Sequence, residues 1–296
     1  MNAAGMATPV ILELAVNGST PRSANPRVPR TPAEIAEVAL RGIERGAAIV
    51  HNHNDEPMFT ADGVHAVEPY LQAWRPVLDR HPDALLYPTM GAGARGIPVH
   101  RRWHHVERLA RVGGMTLVDP GSVNVGLATD GTVPEPAAAG PYQNSYSDVD
   151  HMFARTAELG AAPSISIFEP GFLRTTLTWH RAGRLPPGAI VKLYFGGELE
   201  FGLPPTAAGL EAYLELLEPS GLPWSVALLG GDVVGCGLAE RAIRRGGHVR
   251  VGLEDWAGPG EASNADLVRG AVALVERLGR TPATIAQTRE ILGVEP

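Results

Sequence analysis

Gly46-Ala47-Ala48-Ile49-Val50-His51-Asn52-His53 ends one helical segment and opens a strand, and the rest of the chain can be parsed outward from it. Gly46 terminates the helix, and the apolar run that follows carries two imidazoles two residues apart. Side chains on a strand alternate with period two, so His51 and His53 project to the same side. Two neutral imidazoles where a strand runs out can grip a divalent metal such as zinc. They can equally be ordinary polar residues at a strand end. The spacing does not choose between these readings, and a third ligand would decide.

Upstream, residues 10–16 read as a buried strand that turns at Asn17-Gly18, and 19–29 as a polar, Pro-rich loop. Thr31-Pro32-Ala33-Glu34 starts a helix, with Thr31 as N-cap, Pro32 in the first turn and Glu34 completing a capping box. Downstream, strand patterns at 84–88, 115–118, 164–168, 189–194, 224–228 and 248–252 alternate with helical patterns. The helices are expected up to Arg80, over 99–112, 148–159, 172–180, 207–217, 234–245 and 265–278, with a short one after Thr281-Pro282. Residues 119–147 read as a long loop rich in Gly, Pro and Asn, a length that is usually functional.

Counting 10–16 and 47–53, there are eight strand–helix units. Strict alternation implies a parallel sheet, and eight units close a (β/α)₈ TIM barrel of the α/β class. No dinucleotide-type glycine fingerprint follows the first strand. Residues 1–296 show no internal repeat or linker, so one domain is expected.

Composition narrows the function. The net charge is −7, from 25 basic against 32 acidic residues, and there is no basic block. Nucleic acid and anionic membrane surfaces are therefore unexpected partners. The single cysteine, Cys236, excludes an internal disulfide and a Cys-rich metal site. The apolar stretch at 9–16 contains Glu13 and is too short to span a bilayer, and no cationic leader precedes it. A soluble, cytoplasmic protein is expected. Lys192 is the only lysine, which reads as coding bias rather than chemistry.

In a barrel of this kind the active site lies at the C-terminal ends of the strands. Of the other strand ends, the eighth stands out with Glu254-Asp255. Two histidines and a carboxylate form a familiar catalytic zinc set with an open position for substrate. Glu254 and Asp255 are adjacent, so on an extended segment one could bind metal while the other acts as a base. Arg250 could poise Asp255 or hold an anionic substrate, or simply pair with either acid. His65, His81, His100, His104, His105, His151 and His180 fall on helices or their flanks. His248 begins its strand, at the opposite face. These eight are expected to pack or face solvent.

Gly46–His53, the Asn25-Pro26…Pro29 loop with Thr31-Pro32-Ala33-Glu34, Gly252-Leu253-Glu254-Asp255, Ser263-Asn264-Ala265 and Ala286…Arg289-Glu290-Ile291-Leu292 together resemble the β-keto acid cleavage enzyme family, over nearly the whole chain and in consistent order. The resemblance implies a Zn2+-dependent barrel, commonly a homo-oligomer (dimer or tetramer). Such an enzyme condenses a β-keto acid with acetyl-CoA, its co-substrate, to give acetoacetate and a new acyl-CoA. By position it makes His51, His53 and Glu254 the metal ligands, and Asp255 with Arg250 the pair that handles the α-proton. Thr89, Gly91 and Ala92 fall in the family's hydroxyl and Gly-Gly turn, and Thr20, Asp55 and Asp119 in the substrate shell.

Asp55 stands where the family usually has arginine, and so does Asp232 after the Gly-Gly of the seventh strand. Asp119 stands where the family usually has asparagine, and the added acids Asp55, Asp119 and Asp232 favour a cationic or amine-bearing keto acid. Two other functions fit a metal-binding barrel. An amidohydrolase-type zinc hydrolase places its H-x-H on the first strand and adds histidines at later strand ends, which this chain lacks. A non-catalytic metal-binding barrel leaves Arg250, Glu254 and Asp255 without a purpose.

Overall fold

The computed structural model describes residues 8–55, 64–91, 96–124, 126–127 and 141–294. In chain order the elements are β1 (Leu12–Ala15), α1 (Pro32–Glu44), β2 (Ile49–Asn52), α2 (Glu68–Arg80), β3 (Leu85–Pro88), α3 (Val99–Arg102), α4 (His104–Gly113), β4 (Met115–Val118), β5 (Gly126–Leu127), α5 (Tyr146–Leu159), β6 (Ala162–Ile167) and α6 (Pro170–Arg181). They continue with β7 (Ile190–Gly196), β8 (Leu199–Glu200), α7 (Ala207–Leu217), β9 (Trp224–Leu229), α8 (Leu238–Arg244), β10 (His248–Val251), α9 (Asn264–Arg277) and α10 (Ile285–Leu292).

Eight parallel strands form one sheet in the order β3-β2-β1-β10-β9-β7-β6-β4. A parallel bridge between Leu86 and Gly114 joins its two edges. The sheet therefore returns on itself as a (β/α)₈ barrel, the architecture that the eight strand–helix units predict. Buried aliphatic side chains from strands and helices fill the layer between the two shells.

Register places the polar side chains inside. Glu13 of β1 pairs with Arg250 of β10, His51 of β2 pairs with Tyr87 of β3, and Lys192 of β7 lies between Ser166 of β6 and Ser225 of β9. All are buried, so the barrel interior is charged at its middle.

The capping box expected from Thr31 is formed, and Ser263 with Asp266 forms another at the start of α9. Three expectations need correction. The helix read over 99–112 is two, α3 and α4, which break at Trp103, where the indole Nε1 donates 2.8 Å to the Leu117 carbonyl. The helix read from 234 starts at Leu238, because the Asp232 carboxylate accepts from the N–H groups of Val234 and Gly235 and folds 232–236 into a turn. The span 119–147 is not bare loop. Among its described residues, Val123 and Tyr142 form an antiparallel bridge, and β5 pairs antiparallel with β8. No helix among the described residues is long and apolar enough to cross a membrane.

Candidate active site

The site is built where β1, β2 and β10 end side by side. Asn17, just past β1, stitches the H-x-H loop in place. Its Nδ2 donates to the carbonyls of His53 and Pro29, and its Oδ1 accepts from the His53 N–H at 2.9 Å. Asn52, between the two histidines, points outward and accepts 2.7 Å from the Trp74 indole of α2. His51 and His53 are thus held on the inner side, 5.2 Å apart and edge to face.

Across from them, Gly252 ends β10 with φ at +148°, and a Cβ there would lie 1.9 Å from the Ala15 carbonyl oxygen. Only glycine allows β10 and β1 to come this close as the chain turns. Glu254 and Asp255 therefore sit in a turn, not on the extended segment expected of them, and Arg250 contacts both. Asn264, the first residue of α9, clamps this turn by accepting from Leu253 N–H at 3.0 Å and donating to the Val16 carbonyl at 2.8 Å.

Glu254 reaches both histidines: Oε2 lies 3.2 Å from His51 Nε2, and Oε1 lies 3.4 Å from His53 Nε2. The three candidate ligand atoms lie within 4.8 Å of one another, the one such group of histidine, cysteine and acid side chains among the described residues. The tautomer of His51 follows from its other nitrogen. Nδ1 is 3.1 Å from the Tyr87 carbonyl, which can only accept, so Nδ1 carries the hydrogen and Nε2 presents a lone pair to Glu254. Burial, only partly offset by Glu254, lowers the His51 pKa to about 4, so the imidazole is neutral at pH 7. A lone pair of His51 facing a carboxylate, with a second imidazole nitrogen from His53 converging on the same group, is the donor set of a divalent cation.

Arg250 forms a fork on Asp255, with Nε 2.8 Å from Oδ2 and Nη2 2.9 Å from Oδ1. Its Nη2 is also 2.8 Å from Glu254. Burial raises the Asp255 carboxyl, Arg250 pulls it back and Glu254 raises it again, which leaves it at about 6. Such a carboxylate is basic enough to take a proton from carbon and is still largely ionised near neutrality. A cavity of about 450 Å³ opens beside this pair, between the β9 and β10 loops and α9, lined by Leu228, Val233, Trp256 and Leu267.

The remaining sequence candidates are spread more widely. Thr20 is half-buried, and its hydroxyl donates 2.9 Å to the Leu253 carbonyl, so it braces the Glu254 turn. Thr89 is buried after β3 with its carbonyl accepting from His105, and the Gly91 carbonyl accepts from Arg102 at 3.2 Å. Ala92 lies outside the described residues. Asp55 is exposed, and Asp232 lines the cavity with its carboxylate engaged by its own turn. Asp119 is buried at the end of β4 and accepts from the Tyr142 hydroxyl. Burial raises its pKa more than Tyr142, Ser166, Lys192 and Arg102 lower it.

His248 falls at the far face of the barrel, buried, and its Nδ1 accepts 3.0 Å from Ile11 N–H. His65 and His105 are buried in a stack 4.8 Å apart. Both fill packing roles, as expected.

Sequence reasoning missed Glu13, Tyr87 and Lys192. Lys192 is no mere trace of coding bias: it is fully buried in the barrel, with its Nζ 2.9 Å from Glu13. The available signal was a charged residue inside an apolar strand, in Leu12-Glu13-Leu14 and Val191-Lys192-Leu193. On a barrel strand whose neighbours face the helices, such a residue must face the interior.

Comparison with known proteins gives the family. The profile of the β-keto acid cleavage enzymes matches residues 9–294. The 3-oxoadipate:acetyl-CoA acetyltransferase of Cupriavidus necator is 29% identical, covering 98% of this chain and 96% of the relative. The 3-keto-5-aminohexanoate cleavage enzyme of Fusobacterium nucleatum is 28% identical over 92% of each. Among solved structures, the binary complex of ObcA with oxaloacetate superposes with a TM-score of 0.66 at 21% identity, covering 92% of this chain and 68% of that one, a likeness of fold. A profile match over nearly the full length places this chain in the β-keto acid cleavage enzyme family.

Proposed function

We propose that this protein condenses a β-keto acid with acetyl-CoA and cleaves the product to acetoacetate and a new acyl-CoA. The observation that carries the reading is the junction of two units: a His51–His53–Glu254 cluster and an Arg250–Asp255 fork, which share Glu254 through Arg250. A metal cluster alone fits many reactions, whereas a carboxylate at about 6 beside it fits proton abstraction next to a ketone.

His51, His53 and Glu254 are the residues that would hold the metal, and a zinc ion bound there would act as a Lewis acid on the ketone and acidify the adjacent carbon. Asp255 takes the proton from the carbon between ketone and carboxylate onto its free carboxylate lone pair. Arg250 keeps Asp255 in place through two hydrogen bonds and stays charged throughout. The carbon then forms a bond to the thioester carbonyl of acetyl-CoA, and the C–S bond breaks to release the thiolate. Attack of that thiolate on the original ketone carbon breaks the older C–C bond. The acetoacetate carbanion so released recovers a proton from Asp255, so atoms and charge balance. The mostly apolar cavity beside the fork is lined by Arg250 and Asp255 and by none of His51, His53 and Glu254, so it offers room next to the base rather than at the metal ligands.

For the side chain of the keto acid, a cationic or amine-bearing group is favoured. Of the acids expected to select it, Asp119 is the buried one at a strand end, and a cation beside it would restore the charge that burial disfavours.

The test is a panel of cationic, neutral and anionic β-keto acids incubated with acetyl-CoA, with acetoacetate and the new acyl-CoA measured together. Turnover that needs acetyl-CoA, is lost after chelation and returns with zinc is the expected result. Hydrolysis without acetyl-CoA would move the protein to a hydrolase, and bound zinc with no turnover on any member would make it a binding barrel. Preference for anionic side chains would overturn the substrate class alone.

A further inference from the structure

Below the Arg250–Asp255 fork, Glu13 Oε1 gathers three donors. It accepts from Lys192 Nζ at 2.9 Å, from Arg250 Nη1 at 3.0 Å and from the Tyr87 hydroxyl. Lys192 spends its other two hydrogens on Ser164 Oγ at 2.9 Å and on the Tyr87 oxygen. An ammonium has three donors, and all three are used by the protein. Lys192 therefore has none to offer a substrate, and its Nζ stands 4.8 Å from the Tyr87 ring centre.

Stability does not account for this arrangement. Taking two charges out of water costs several kcal/mol per ion, and an apolar pair of similar volume packs as well or better. The cluster does meet a geometric need. Arg250 faces three carboxylates, Glu13, Glu254 and Asp255, and its guanidinium has one set of donors to divide among them. Without a second cation, Glu13 would be a buried anion held only by the Tyr87 hydroxyl and by the guanidinium about 3 Å away, and would draw that guanidinium down the barrel axis. With Lys192 in place, Glu13 takes only Nη1, and Nε and Nη2 stay on Asp255.

We infer that Glu13 and Lys192 are positioning residues: Lys192 absorbs the charge of Glu13 so that Arg250 is anchored from below without being pulled off the base Asp255. The chemical step this serves is the one in the proposed function. The geometric statement about Arg250 stands apart from that reading and can be measured apart from it.

The experiment compares Lys192→Met with the charge-free pair Glu13→Gln/Lys192→Met. Each is assayed with acetyl-CoA and the best keto acid, titrated for zinc content and crystallised. In Lys192→Met, Arg250 is expected to leave Asp255 for Glu13, and kcat to fall about 10- to 100-fold, the scale of a misplacement of about 1 Å. KM for both substrates and bound zinc should stay at wild-type levels. In the double variant the fork should reform and most of kcat should return.

A Lys192→Met protein with wild-type kcat and an intact Arg250–Asp255 fork overturns the inference, and so does a double variant no better than the single one. A rise in keto acid KM with kcat unchanged also overturns it, and makes Lys192 a substrate contact. If Lys192→Met does not accumulate as folded protein, Tyr87→Phe carries the same comparison. It removes one donor from Glu13 and one acceptor from Lys192 and changes no charge, so it should shift Arg250 the same way with a smaller loss of kcat, and an unmoved Arg250 overturns the inference. If wild-type protein turns over no keto acid, the proposed function fails, while the position of Arg250 in the variant crystals still decides this inference.

Discussion

At the scale of single residues, the site assigns one task to each of two adjacent acids. Glu254 faces two imidazole nitrogens, while Asp255 faces a guanidinium and the cavity. Asp255→Asn keeps the shape and can still accept from Arg250, but it cannot take a proton at neutral pH. Its kcat is expected to fall about 100- to 10,000-fold, with zinc content unchanged, as removal of a general base does. An equal loss of bound zinc would show that Asp255 works through the metal ligands instead. His51, His53, Glu254, Asp255 and Arg250 were legible as candidates because strand periodicity put the two histidines on one side and the barrel rule pointed to the end of the eighth strand, whereas the turn that sets Glu254 and Asp255 apart was not legible. Glu13 and Lys192 were not, because their meaning rests on a cross-barrel contact between residues 179 positions apart, and no local period reports that.

At the scale of elements, the strands and most helices followed from periodicity and caps. The errors fell where a side chain overrides the local pattern. Trp103 breaks a helix to reach a carbonyl on β4, and Asp232 replaces the first turn of α8 with a turn of its own. The turn after β10 is the element on which the site depends most, and Asn264 is its clamp. Asn264→Ala would leave the buried N–H of Leu253 and carbonyl of Val16 without partners, a cost of about 2–6 kcal/mol at roughly 1–3 per group. A denaturation midpoint unchanged in Asn264→Ala would mean that water or a backbone shift replaces the clamp. Because the same turn carries Glu254 and Asp255, zinc affinity should fall with stability.

At the scale of the whole molecule, buried histidines at both faces of the barrel make the fold sensitive to acid. His248 sits at the face opposite the site, and burial lowers its pKa from 6.5 to about 4, with Arg280 adding to the effect. The fold favours its neutral form, whose Nδ1 accepts from Ile11. Its contribution is full above pH 6.5 and is lost as pH falls from 6.5 to about 4, where it levels off. The difference corresponds to on the order of 3 kcal/mol across that window. Urea unfolding from pH 7 to 4 should show this loss, and His248→Gln should make it shallower without abolishing it, since burial lowers His51 and His105 in the same way. A wild-type curve no steeper than the variant's would remove His248 as its source.

The placement of Lys192 has a practical side. It is the only side-chain amine in the 296 residues, and it lies in the barrel interior with no solvent exposure. Reagents that acylate amines, or couple proteins to a surface through them, find no lysine on the folded molecule. Reaction at Lys192 becomes a chemical record that the barrel has opened.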